Sequence, residues 1–132
     1  MIRLARQLAA DLGLGAKARY LQGDFVAAAN DIPRADVVVL DKVVCCYDDL
    51  IPLLEASLDK ALHVYALSYP RARRLNCWGF SLLAVVGRIL NWSFVPRWHD
   101  WEGMLLRIRA RGFVEHYARD SFFWSVRVFQ RA

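Results

Sequence analysis

The run Asp36-Val37-Val38-Val39-Leu40-Asp41 constrains this chain more than any other feature. Unbroken, rich in β-branched residues and bracketed by acids, it predicts a strand buried on both faces of a parallel sheet, which requires helices on both sides. Upstream, Ile2, Ala5, Leu8, Ala9 and Leu12 recur at spacings of three and four, with Arg3, Arg6, Gln7 and Asp11 between them and Gly13 and Gly15 behind. That pattern predicts an amphipathic helix stopping at the glycines. No Ser, Thr, Asp or Asn stands ahead of it to cap its free amides, so the chain reads as one that begins inside a helix.

Ala18 to Phe25 reads as a strand ending at Gly23-Asp24, then a short helical turn through Ala27, Ala28 and Ala29 that Pro33 closes. Beyond the valine run, Leu50, Leu53, Leu54, Leu58 and Ala61 form one helical stripe, with Asp48 or Asp49 as cap and Pro52 tolerated in the first turn. A strand from His63 to Ser68 follows, then a turn at Tyr69-Pro70, a helical region from about Leu75 to Leu90, and a helix from Asp100. This last helix carries Trp101, Met104, Leu105 and Ile108 on one face before Gly112. Phe113 to Ala118 and Ser121 to Gln130 are strands joined by little more than Arg119-Asp120. So short a link excludes a crossover and makes them antiparallel neighbours.

Taken together the order predicts one α/β domain over residues 1–132: a three-layer, doubly wound, Rossmann-like sheet, mostly parallel, with a C-terminal antiparallel hairpin. Ligands of such sheets bind off the carboxyl ends of the strands. Asp24 and Phe25, Asp41 to Tyr47, and Tyr69 to Arg71 occupy those positions.

Composition narrows the function. At 132 residues and 57% hydrophobic the chain can enclose one core. Its net charge of +5 is spread along the chain, and the densest cluster, Arg71, Arg73 and Arg74, lacks an aromatic stacking platform, so no nucleic-acid partner is expected. Cys45, Cys46 and Cys77 show neither metal-ligand nor Cys-x-x-Cys spacing; free thiols in the cytoplasm and no metal site are expected. Arg3, Arg6 and Asp11 interrupt any signal-peptide core. The apolar stretch Cys77 to Pro96 carries Arg88 and Asn91, which suits an amphipathic cap or peripheral membrane contact better than a bilayer span.

In order and separation, these pieces resemble the class I S-adenosylmethionine-dependent methyltransferase family. The matching residues are the helix opening Met1-Ile2-x-x-Ala5-Arg6, the pair Gly23-Asp24, the strand Asp36 to Asp41, the loop Lys42-Val43-Val44-Cys45-Cys46-Tyr47-Asp48-Asp49, and the terminal hairpin. The resemblance covers the C-terminal two-thirds of such a domain, an N-terminally truncated one, because the family's glycine-rich loop and its ribose-binding acid would precede Met1. It implies S-adenosyl-L-methionine as cofactor. Asp24 would accept from the adenine amino group, Phe25 would supply a backbone amide and an apolar wall, and Asp41, Lys42 and Val43 would line the methionine end. Read alone, Asp24 is as well explained as a turn residue after a strand.

Methyl transfer from a sulfonium is an in-line displacement with an activated leaving group, so the protein chiefly aligns the acceptor and excludes water. Tyr47, Tyr69, Trp98 and His99 are the acceptor-side candidates, with Tyr47 and His99 nearest the chemistry and Tyr69 and Trp98 binding substrate. His99 serves as general base if the acceptor is a hydroxyl; otherwise it flanks the next helix. Cys45 and Cys46 read as small core residues. His63 and His116, in strand-like segments without partners, receive no role. The aromatic stretch Trp78, Phe80, Trp92, Phe94, Trp98 and Trp101 suggests that residues 71–104 form a lid over a small hydrophobic or aromatic acceptor. A different class of function remains: a non-catalytic interaction domain using 71–97 on a membrane surface or protein partner. An unpaired sheet edge would also favour self-association.

Overall fold

A computed structural model describes residues 2–71 and 99–132, with 79, 82, 85, 86 and 89 between them. Helix α1 spans Ile2–Asp11. Its end is a Schellman closure: the Gly13 amide bonds the Ala10 carbonyl at 3.0 Å and the Leu14 amide bonds that of Ala9 at 2.7 Å. Gly13 has φ 70°, a conformation that glycine adopts without a Cβ penalty.

The strand expected over Ala18 to Phe25 does not form. A strand exists only within a ladder, and the four-stranded sheet pairs none of its members with this segment. Instead Asp24 caps helix α2 (Phe25–Ala28) by accepting from the Val26 amide, so Phe25 is the first helical residue rather than the last of a strand. A 3-10 turn over Ala29–Asp31 follows, and Pro33 lies just beyond it.

Four strands make the sheet: β1 (Ala35–Leu40), β2 (Ala61–Pro70), β3 (Phe113–Asp120) and β4 (Trp124–Arg131), in the order β1-β2-β4-β3. β1 and β2 are parallel, joined through helix α3 (Leu50–Lys60), which Asp49 caps on the Ile51 amide. β4 runs antiparallel to both β2 and β3, so the terminal hairpin forms as expected and its second strand lies inside the sheet. Tyr69-Pro70, expected as a turn, is still paired with Trp124 and Ser125 of β4. The hairpin turn moves to Ser121, whose amide bonds the Trp124 carbonyl at 2.8 Å.

The core lies between one face of the sheet and two helices. Leu50, Leu53, Leu54 and Leu58 of α3 and Trp101, Met104 and Ile108 of helix α4 (Trp101–Ala110) pack with Leu40, Tyr65, Leu67, Phe113 and Phe129. Both helical stripes read from the sequence therefore face the core, with Leu105 half-buried and Ala61, buried too, opening β2 rather than ending the helix. The valine run is covered differently from expectation. Leu40 is buried and Val38 packs on the core, but Val37 and Val39, on the opposite face, are 53% and 60% exposed. Among the described residues, β1 is an edge strand covered from one side.

One buried polar contact ties helix to sheet. Ser57 of α3 donates to the Leu54 carbonyl at 3.0 Å, which leaves the Tyr65 hydroxyl as donor to Ser57 Oγ at 2.8 Å. Burial pushes the Tyr65 phenol far above its ordinary value, so it stays protonated as that donor. Ser57→Ala should cost about 1–3 kcal/mol in urea unfolding, because it strands a buried hydroxyl. Adding Tyr65→Phe should recover part of that loss, and a further loss of the same size in the double variant would contradict the contact.

Candidate functional site

The carboxyl end of β1 is followed by a sharply turned loop. Lys42 has φ 56°, a left-handed conformation that a long side chain adopts only where surrounding contacts hold it. Ser68, buried near the end of β2, supplies the contact: its hydroxyl accepts from the Lys42 amide at 2.8 Å and donates to Asp41 Oδ1 at 2.6 Å. One serine thus fixes both residues at the mouth of the adjacent strand. The Lys42 ammonium lies 5.3 Å from the Trp124 ring centroid, within cation–π range. Val43 is partly exposed and accepts from the Cys46 amide at 2.9 Å.

Further along the loop, Tyr47 gathers the other candidates. Its hydroxyl donates to Asp24 Oδ1 at 2.5 Å, and its carbonyl lies 3.1 Å from His99 Nε2. A carbonyl only accepts, so Nε2 of His99 carries the hydrogen and, in the neutral ring, Nδ1 is the basic nitrogen. The His99 ring meets Trp101 edge-on at 5.7 Å, and Trp101 packs against Tyr69 at 5.3 Å. Asp24, Tyr47, His99 and Tyr69, four candidates read from distant parts of the sequence, are joined through Trp101 into one continuous chain of contacts.

The electrostatics follow from these contacts. The Tyr47 hydroxyl, then the Val26 amide, hold the Asp24 carboxyl below the usual carboxylate range. The same contact with Asp24 pushes the Tyr47 phenol upward. Asp24 is therefore an exposed, ionised acceptor at a helix cap, and its contribution to the cap is present above the ordinary carboxyl range and is lost as pH falls through its lowered value. Tyr69 is 5% exposed, and burial raises its phenol; its ring packs against Trp101 as part of the core. Phe25 is half-buried against the core. Trp98, and all of the 71–104 segment except its ends and a few helical positions, lies outside the described residues. Arg71, read both in the densest arginine cluster and among the strand-end positions, is held by the hairpin turn through its amide to the Phe123 carbonyl at 2.8 Å and by Asp120 at 3.7 Å.

Sequence reasoning missed Ser68. A small hydroxyl in an otherwise apolar strand, two residues before its end, was the available signal. It also separated two cysteines too little. Cys45 is 2% exposed, and burial, then its contact with Cys46, push its thiol up to about 12, so it is a protonated core residue. Cys46 is exposed rather than in the core, its sulfur 3.4 Å from that of Cys45 and not bonded to it. Iodoacetamide at pH 8 should therefore alkylate Cys46 well before Cys45 in peptide mass spectra; equal rates would contradict the buried placement. His63, expected to lack a partner, pairs with Asp36 at 3.1 Å across β1 and β2, both exposed. Among the described residues, no group of three or more His, Cys, Asp or Glu is placed to hold a metal ion, and no helix is long and apolar enough to cross a membrane.

No family model matches the chain, and no curated protein matches it in sequence. Solved structures do. An O-methyltransferase family protein from Burkholderia thailandensis superposes with TM-score 0.77 at 16% identity, over 97% of this chain and 40% of that one. The magnesium protoporphyrin IX methyltransferase of Synechocystis PCC 6803, crystallised with bound SAH, superposes with TM-score 0.59 at 16% identity, over 85% of this chain and 50% of that one. The chain thus spans half or less of these two neighbours' lengths, and what it shares with them is an architecture: it has a methyltransferase-like, Rossmann-like α/β fold.

Proposed function

We propose that this chain carries the strand-end cofactor edge of an S-adenosylmethionine-dependent methyltransferase whose acceptor is a small hydrophobic or aromatic molecule. The observation that carries the reading is the contact chain Asp24–Tyr47–His99, which gathers on the loop that follows the carboxyl end of β1, in a fold that methyltransferases share. The residues fit such a cofactor on their own chemistry. Asp24 is an exposed ionised acceptor suited to an exocyclic amine, beside the half-buried ring of Phe25. Asp41, Lys42 and Val43 follow β1 in a loop that Ser68 pins, where a carboxylate and the strained backbone can meet the amino-acid end of the ligand.

When bound, S-adenosylmethionine supplies a methyl group already activated by its sulfonium. The protein's part is then alignment and exclusion of water. The buried rings of Trp101 and Tyr69 make the surroundings of His99 apolar, which supports an apolar acceptor. His99 Nδ1 is available to take a proton from an acceptor hydroxyl, while its Nε2–H stays on the Tyr47 carbonyl.

Calorimetric titration of this chain with S-adenosylhomocysteine tests the reading. Saturable heat, competed by S-adenosylmethionine, is expected. Silence, from this chain and from any longer form of the protein, would overturn it in favour of a non-catalytic interaction domain.

A further inference from the structure

Tyr47 reaches from the loop after β1 to the cap of α2, two elements that nothing in the local sequence obliges to meet. Its hydroxyl and the Val26 amide both end on Asp24 Oδ1, at 2.5 and 2.8 Å. The phenol is itself fixed, because its ring packs on the core and its carbonyl carries the His99 bond. A carboxylate offers about four lone-pair positions. With two donors of fixed direction on Oδ1, rotation about the Cβ–Cγ bond is restricted and the remaining acceptor positions point in a set direction. The same contact keeps the carboxyl ionised, hence acceptor-only.

We propose that Tyr47 is a positioning residue that aims Asp24 as an acceptor, so that the site selects a heteroaromatic base bearing an exocyclic amino group over one bearing a carbonyl there. The proposal rests on the cofactor reading above and moves Tyr47 from the chemistry of transfer to selection of the ligand. A carbonyl facing a fixed, ionised carboxylate sets acceptor against acceptor and leaves both without a donor, which is the kind of mismatch that gives strong discrimination between otherwise similar ligands. A carboxylate free to rotate can turn away, and the mismatch relaxes.

The test compares S-adenosylhomocysteine with S-inosylhomocysteine, its analogue with a carbonyl in place of the amino group, by calorimetry on this chain and on Tyr47→Phe. Carbon-detected NMR of the Asp24 carboxyl runs alongside. The parent should prefer the adenosyl ligand. In Tyr47→Phe the affinity for that ligand should fall about tenfold, on the scale of one charge-assisted hydrogen bond, with little change for the inosyl ligand, and the Asp24 carboxyl should titrate at higher pH. A general loss of structure would instead weaken both ligands together. A parent that prefers the adenosyl ligand and a variant with an unchanged ratio would overturn the role of Tyr47 while leaving the cofactor reading intact. Equal binding of the two ligands by the parent would overturn base selection. No binding of either by a parent whose Asp24 carboxyl still shows the Tyr47 contact would overturn the cofactor reading, and the proposal with it.

Discussion

Replacing Phe129 with alanine should lower the unfolding free energy by about 3–5 kcal/mol in urea titration, the range for truncating a fully buried aromatic. Phe129 is wholly buried in the second half of β4, paired with Tyr65 on one side and Glu115 on the other. Its ring belongs to the cluster that α3 and α4 cover, so no nearby element can collapse into the space without breaking a ladder. Domains of this size hold a net stability of about 5–15 kcal/mol, and the variant should therefore sit near the edge of folding. Val39→Ala is the matched control. Val39 is 60% exposed on the opposite face, and its truncation should cost less than about 1 kcal/mol. Losses of equal size at the two positions would contradict a core confined to one face of the described sheet.

The second large effect is expected at Asp24. Asp24→Ala removes the acceptor for the Val26 amide and for the Tyr47 hydroxyl together, and affinity for S-adenosylhomocysteine should fall about tenfold to a hundredfold, the loss expected for one hydrogen bond to a charged group. Asp24→Asn separates structure from recognition. Asparagine is as good a helix cap as aspartate, so α2 should persist, yet the side chain loses its charge and gains an amide that donates toward the ligand's amino group. The asparagine variant should therefore unfold like the parent and bind like the alanine variant. Parent-like affinity in Asp24→Asn would remove the carboxylate from the binding account.

Much of this architecture could be read before the structure. The α3 stripe of Leu50, Leu53, Leu54 and Leu58, the α4 face of Trp101, Met104 and Ile108, and the terminal hairpin all follow from local periodicity and link length, which act within a few residues. The failures share one cause, dependence on partners far away in sequence. Ala18 to Phe25 has strand-like character but no neighbouring strand here to pair with, so Asp24 becomes a helix cap. Val37 and Val39 look buried by composition, yet whether a strand's second face is covered depends on what packs there. The place of Asp41 and Tyr47 after β1 was legible from chain order, whereas Asp24 was read at the end of a strand that does not form and stands instead at the cap of α2. The contacts that join these residues were not legible, because Tyr47 meets Asp24 across 23 residues and His99 across 52, and Ser68 joins Asp41 from a different strand.

The most direct test of the central claim is an amide NMR titration of this chain with S-adenosylhomocysteine. Saturable shifts concentrated at Asp24 to Val26, at Lys42 to Tyr47 and at His99, with α3 and the far ends of β3 and β4 undisturbed, are the predicted result. Shifts confined to the open face around Val37 and Val39, or none at saturating ligand, would contradict a cofactor site at the carboxyl ends of these strands.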